Sequence, residues 1–231
     1  MPAVHLFMLA GFATAPRFLD EALVYVRERV LRDTGAKEAA GTILFPYGDW
    51  SRNPVPQLRE ILHDIRLPAA RFGRSVGGRV VLRGLQERMN NGDSAILIGH
   101  SGGGVAALHG AKLMADLHGE ARILVIQIGC PKCPVPPEMR DRVGYFYAAD
   151  GRGRWKDPVT RYGSWSGWKR SKSGLPVLIR NLYRPDVVRP LPVKGGHIDY
   201  FRSCLTAADG RSNLEIVADE IGRLLRERCG R

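Results

Sequence analysis

The sequence predicts a doubly wound α/β fold: a mainly parallel sheet of about six strands with helices on both faces, forming a three-layer sandwich. Three observations carry that prediction. Short continuous apolar runs closed by Gly or Pro recur along the chain, as expected of strands buried on both faces. Segments with apolar residues at helical spacing lie between them, so strand and helix patterns alternate from end to end. The 231 residues contain no internal repeat, low-complexity tract or linker, which fits one domain spanning 1–231.

The first strand is read at 3–11, "AVHLFMLAG", followed by a helix over 18–33 with Leu19, Leu23, Val26 and Val30 on one face. Residues 41–49 form the second strand, stopped by Pro46 and Gly48, and helices follow over 55–67 and 76–91. Residues 95–99 are the third strand, leading through a Gly-rich turn into an Ala-rich helix. The fourth and fifth strands are 122–129 and 143–149, the sixth is 176–183, and an amphipathic helix over 213–229 closes the fold. One segment, 151–174, breaks the rhythm: it has no apolar periodicity and carries Trp155, Tyr162, Trp165 and Trp168 among basic residues. A loop of that length is usually functional or mobile.

Composition narrows the function classes. Hydrophobic residues make up 44% and charged residues 25%, which is globular rather than disordered. No apolar run approaches the roughly 20 residues of a membrane span. The N-terminal "LFMLAGFATA" imitates a secretory h-region, but no basic n-region precedes it, so it reads as a buried strand and the expected location is cytoplasmic. A net charge of +12 favours acidic partners or simply reflects an Arg-rich surface, and composition does not separate the two. Of the four cysteines, Cys130-Pro131-Lys132-Cys133 has redox or half-zinc-site spacing, yet no second pair or nearby His completes a metal site and prolines follow it. Loop thiols, with a reversible disulfide as the alternative, fit better.

The chemistry concentrates in Gly99-His100-Ser101-Gly102-Gly103-Gly104, at the strand-to-helix junction. As a phosphate loop the turn lacks the ribose-binding acid after the next strand and the Gly-Lys-Ser/Thr of a nucleoside triphosphate site. As Gly-x-Ser-x-Gly it is a nucleophile elbow, in which the backbone beside the serine approaches too closely for a Cβ. Such a serine needs a histidine as base and a carboxylate to orient it, in the chain order Ser, acid, His. Of six histidines only His197, in "KGGHIDYF", lies beyond the sixth predicted strand, where "IDYF" is read as starting a helix. Three aspartates compete for the acid. Asp157, in "KDPVT", is preferred because the loop can turn back there; Asp150, directly at the strand end, and Asp186, in "RPDVVRPLP", stay open.

The elbow "GHSGG", the late "GGHIDYF" and the early "LAGF" together resemble the α/β-hydrolase superfamily over nearly the whole chain, in a minimal form without a cap domain. The first strand resembles the family's third, so the two leading antiparallel strands are missing. The resemblance implies an oxyanion hole from the backbone N–H groups of Phe12 and Gly102. It further implies a serine esterase or lipase-like hydrolase acting on a carboxylic ester or thioester through an acyl-serine, with Ser101, Asp157 and His197 as the triad. No metal or organic cofactor is expected, and the expected partner is a small-molecule ester or thioester rather than nucleic acid. The basic, Trp-rich segment 151–174 would rim an open site, leaving room for a peripheral contact with an anionic membrane, for stacking on nucleic acid, or for tryptophans that merely pack on the domain. A non-catalytic protein of the same fold, holding an anionic partner through that rim, is the alternative reading.

Overall fold

The computed structural model describes residues 3–119 and 122–229. In chain order the elements are β1 (Val4–Leu9), α1 (Asp20–Thr34), β2 (Ala39–Leu44), α2 (Pro54–Ile65), α3 (Val76–Gln86), β3 (Ser94–His100), α4 (Gly102–His118), β4 (Arg122–Ile128), β5 (Val143–Ala148), β6 (Gly167–Arg170), β7 (Pro176–Ile179), β8 (Val187–Leu191) and α5 (Asn213–Cys229). Six strands make one sheet in the order β2-β1-β3-β4-β5-β8, with every neighbouring pair parallel.

Alternation along the strands builds two cores. Leu6, Met8, Ile96, Ile98 and Ile126 face α1 and α5, whose Val26, Val30, Val217 and Ile221 complete that layer. Phe7, Leu9, Ala95, Leu97 and Val125 face the other way, against α2, α3 and α4. Both faces are therefore covered, and the central strands read as unbroken apolar runs rather than alternating ones. The order also fixes where a ligand can sit. The chain leaves β1 toward β2 and returns to β3 on its other side, opening a crevice beyond the C-terminal ends of β1 and β3.

Three expectations are corrected. The apolar run 176–183 is not the sixth sheet strand: Pro176–Ile179 pairs antiparallel with Gly167–Arg170 in a separate two-stranded ribbon, and β8 takes the sheet position. Pro190 and Arg189 disguise β8 as a loop, but it is an edge strand, where a proline is tolerated, and Arg189 pairs with Glu220 and Glu227 of α5. The residues after His197 form turns, and the next helix starts only at Asn213. Segment 151–174 is likewise less bare than its composition suggests, holding a short 3₁₀ turn at Val159–Arg161 as well as β6.

Candidate active site

Ser101 sits between β3 and α4 with φ 55° and ψ −131°, a conformation that costs a non-glycine residue about 1–3 kcal/mol. The glycines around it make the bend possible. A Cβ on Gly99 would lie 2.3 Å from Gly104 Cα, and one on Gly103 would lie 2.2 Å from the Leu9 carbonyl oxygen. Sequence spacing thus becomes shape: the elbow closes only because both flanking positions lack side chains. The serine N–H donates to the Ile128 carbonyl at 3.1 Å, tying the turn to the end of β4.

The end of β1 meets this turn across the crevice. A Cβ on Gly11 would stand 2.6 Å from Ser101 Cβ and 3.2 Å from Gly102 N, so the bend at Gly11 lies directly against the serine. The following loop is held by Gln57, fully buried, whose Oε1 accepts from Ala13 N at 3.0 Å while its Nε2 donates to the Asp49 and Arg52 carbonyls. Gly102 opens α4, where the N–H groups of the first turn have no intrahelical acceptor and carry partial positive charge. Among the described residues, no hydrogen bond engages the Phe12 N–H or the Ser101 hydroxyl.

Of the three candidate acids, Asp157 is the one that reaches His197. Its Oδ2 lies 2.8 Å from His197 Nδ1, while its Oδ1 accepts from Val159 N at 2.9 Å. Asp157 is fully buried, whereas His197 is partly exposed. The ring nitrogen facing a carboxylate carries the proton, which leaves Nε2 with a free lone pair in the neutral ring. Tyr200 supports the pair: its hydroxyl donates to Asp157 Oδ2 at 3.0 Å and accepts from Ala148 N at 2.8 Å. Burial and the neighbouring Asp157 raise the Tyr200 pKa, keeping that O–H a donor. Asp150 is engaged by Arg154, and Asp186 precedes β8, at the opposite end of the sheet from Ser101.

His197 is also positioned from behind, by residues outside the Ser-acid-His set. His100, the variable residue of the elbow, stacks under the His197 ring at 4.9 Å and donates from Nε2 to the His197 carbonyl at 2.9 Å. Burial first, then the charge of His197, pull the His100 pKa down to about 4, so it remains neutral. Asn213, at the start of α5 and fully buried, accepts from Lys194 N and donates to the carbonyls of Lys194 and Asp199, clamping the loop on either side of His197. A polar Asn opening an amphipathic helix is a cap signal visible in the sequence, but its loop partners are not.

Ser101, Gly102, His197 and Phe12 line one cavity of about 660 Å³, walled by Phe18, Leu58, Ile61, Ile65 and Val159. Pro158 and Tyr162 of the Trp-rich segment rim it, while Trp155 stacks on Tyr147 and Trp165 is buried against Tyr145. Part of the segment thus lines the cavity and part packs on the domain. Cys130 and Cys133 are buried free thiols, and burial pushes the Cys133 pKa up to about 12. The Cys229 side chain lies outside the described residues. No group of three or more His, Cys, Asp or Glu able to hold a metal occurs among the described residues.

No family model and no curated protein sequence matches the chain. Among solved structures it is similar to the RedJ thioesterase of the prodiginine biosynthetic pathway in Streptomyces coelicolor. That likeness has a TM-score of 0.50 at 15% identity, covering 96% of this chain and 90% of that one. An extracellular α/β-hydrolase from a Paenibacillus species matches with a TM-score of 0.49 at 11% identity, over 96% and 98% of the two chains. The chain has the α/β-hydrolase fold. Within this α/β-hydrolase fold the sheet carries no antiparallel lead strands among the described residues, and residues 129–142 join β4 to β5 without a cap. No helix among the described residues is long and apolar enough to cross a membrane.

Proposed function

We propose that the protein is a serine hydrolase cleaving a carboxylic ester or thioester through an acyl-serine intermediate. The observation that carries this reading is the buried Asp157 carboxylate 2.8 Å from His197 Nδ1, in the cavity that the strained Ser101 turn also lines. Ser101 Oγ attacks the acyl carbon as its proton passes to His197 Nε2. The carbonyl oxygen becomes an oxyanion held by the N–H groups of Phe12 and Gly102. The tetrahedral adduct collapses, the His197 proton goes to the departing alcohol or thiol, and the acyl group stays on Ser101. Water then repeats the sequence, giving up a proton to His197 as it attacks, and releases the acid. Asp157 fixes the His197 tautomer and offsets the charge that forms on its ring. The Ser101–His197 hydrogen bond forms with substrate, since such contacts commonly tighten only in the reacting complex. The carbon-lined wall suits an apolar acyl group.

Intact-mass spectrometry after fluorophosphonate treatment tests the proposal. The wild type gains one adduct and Ser101→Ala none. His197→Ala and Asp157→Asn label slowly, the latter with kcat toward a soluble ester down roughly 10⁴-fold, and Asp186→Asn labels at the wild-type rate. A folded wild type that takes no adduct overturns the reading.

A further inference from the structure

The β6–β7 ribbon forms a sheet of its own, apart from the six-stranded one. Every residue of Trp168–Arg170 and of Pro176–Ile179 is exposed, and the ribbon carries Trp168 at 66%, Leu175 at 65% and Leu178 at 51% exposure, together with Val177 and Ile179. A two-stranded ribbon without cover is marginal in water, and an exposed cluster of large apolar side chains marks an interaction surface.

Charge indicates what would cover it. From Pro158 to Pro185 the chain has no Asp or Glu but six cations: Arg161, Lys169, Arg170, Lys172, Arg180 and Arg184. Among the described residues none of the six forms an ion pair. At the ribbon's base, Arg180 and Arg184 join Lys132 around a second cavity of about 540 Å³, walled by Trp155 and Trp165. The surface therefore calls for a partner that is apolar and anionic together.

Register separates the candidate partners. Trp168 and Leu178 stand opposite one another on one face, while Val177, opposite Lys169, and Ile179, opposite Gly167, lie on the other. A protein surface would cover one face of such a ribbon, whereas a fluid interface surrounds both. A second copy of this chain is disfavoured by the net charge of +12 and by the lack of acids on the ribbon itself. Four residues of strand span about 14 Å, enough to place apolar side chains at the acyl boundary, roughly 5–10 Å deep, with the basal cations at headgroup level. Lys169, Arg170 and Lys172 are long enough to run their stems along that path and keep their charges among the phosphates.

We propose that the β6–β7 ribbon docks the protein on anionic phospholipid surfaces, its apolar side chains entering the interface and its cations binding lipid phosphates. This does not depend on the catalytic reading.

Co-sedimentation with vesicles of phosphatidylcholine alone, and with equimolar phosphatidylglycerol, tests it. The wild type sediments with the anionic vesicles and is released by salt, and it stays in solution with the neutral ones. Each basic residue near an anionic surface is worth about fivefold, so the triple variant Lys169→Ala, Arg170→Ala, Lys172→Ala binds roughly a hundredfold more weakly. The pair Trp168→Ser, Leu178→Ser loses at least about tenfold. Far-UV circular dichroism and an unchanged thermal midpoint establish that both variants fold. Equal binding to both vesicle types overturns the proposal, as does wild-type affinity in both variants. Ribbon-dependent retention on polyglutamate without vesicle binding overturns it in favour of an acidic protein partner.

Discussion

Replacing His109 with leucine should stabilise the protein, and by an amount that grows as pH falls. His109 lies in the middle of α4, fully buried, with its ring stacked on Phe72 at 3.7 Å and neither ring nitrogen hydrogen-bonded. Burial, and next the charge of His63, lower its pKa from 6.5 to about 3. Near pH 8 the folded and unfolded chains both hold it neutral, so leucine removes only an unsatisfied N–H, a gain of about 1 kcal/mol after the lost ring contact. Between these pKa values the signs diverge. The unfolded chain takes up a proton as pH drops through 6.5, whereas the folded one does not until about 3, so protonation favours unfolding throughout that window. At about pH 5 the wild type has lost some 2 kcal/mol through this group, and the leucine variant none. Urea unfolding of both proteins at the two pH values measures the difference, in which all other titrations cancel. The gap should rise from about 1 to about 3 kcal/mol. A gap that stays constant with pH would refute the account of His109 as a neutral, unsatisfied core group.

Two further outcomes follow from the site. Gly11→Ala drives a Cβ to 2.6 Å from Ser101 Cβ, and displacing the turn should slow fluorophosphonate labelling at least about 100-fold in a protein that still folds. A rate within tenfold of wild type would show that the crevice relaxes around the methyl group. Tyr200→Phe strips a donor from Asp157 and leaves Ala148 N without its acceptor, so denaturant unfolding should show a loss of about 1–3 kcal/mol. Its kcat should fall much less than that of Asp157→Asn, and an equal fall would mean that the phenol acts on the reacting atoms directly.

What was legible in the sequence follows the reach of the interactions involved. The elbow was legible because its requirements are local: Gly99 and Gly103 are demanded by backbone atoms within a few residues or on the adjacent strand. The central strands were legible because burial on both faces leaves no polar positions to confuse the pattern. The edge was not. The run 176–183 opens on the unbroken apolar Val177-Leu178-Ile179, whereas Val187–Leu191 is interrupted by Arg189 and Pro190, yet β8 takes the sheet position through pairing with β5 and the ion pairs of Arg189 to α5, neither of which is encoded nearby. The same exchange moves Asp186, which follows the run at 176–183 but precedes β8 and so stands at the end of the sheet away from Ser101. His100 and Asn213 were visible as residue types, but their roles exist only once residues 194–201 fold over them.

The parallel sheet does most of the positioning, and the two histidines show what it leaves to side chains. Leu9 and Gly99 are register partners, so Gly11 and Ser101 emerge side by side from adjacent strands with no loop needing to be ordered to bring them together. His197 starts from β8, three strands away from β3, and its loop must cross back over the ends of β5 and β4. That return is secured by Asn213 at its base, by Asp157 at the ring edge and by His100 beneath the ring face. The last contact imposes an electrostatic condition. In the proposed cycle His197 becomes positive in the transition state, and a charged ring stacked 4.9 Å away would oppose that step. Burial meets the condition by depressing His100 to about 4, so it stays neutral wherever His197 is required to accept a proton near neutrality. A histidine in that place can cushion the base and tether its carbonyl without competing for the charge, which neither a lysine nor an arginine could do.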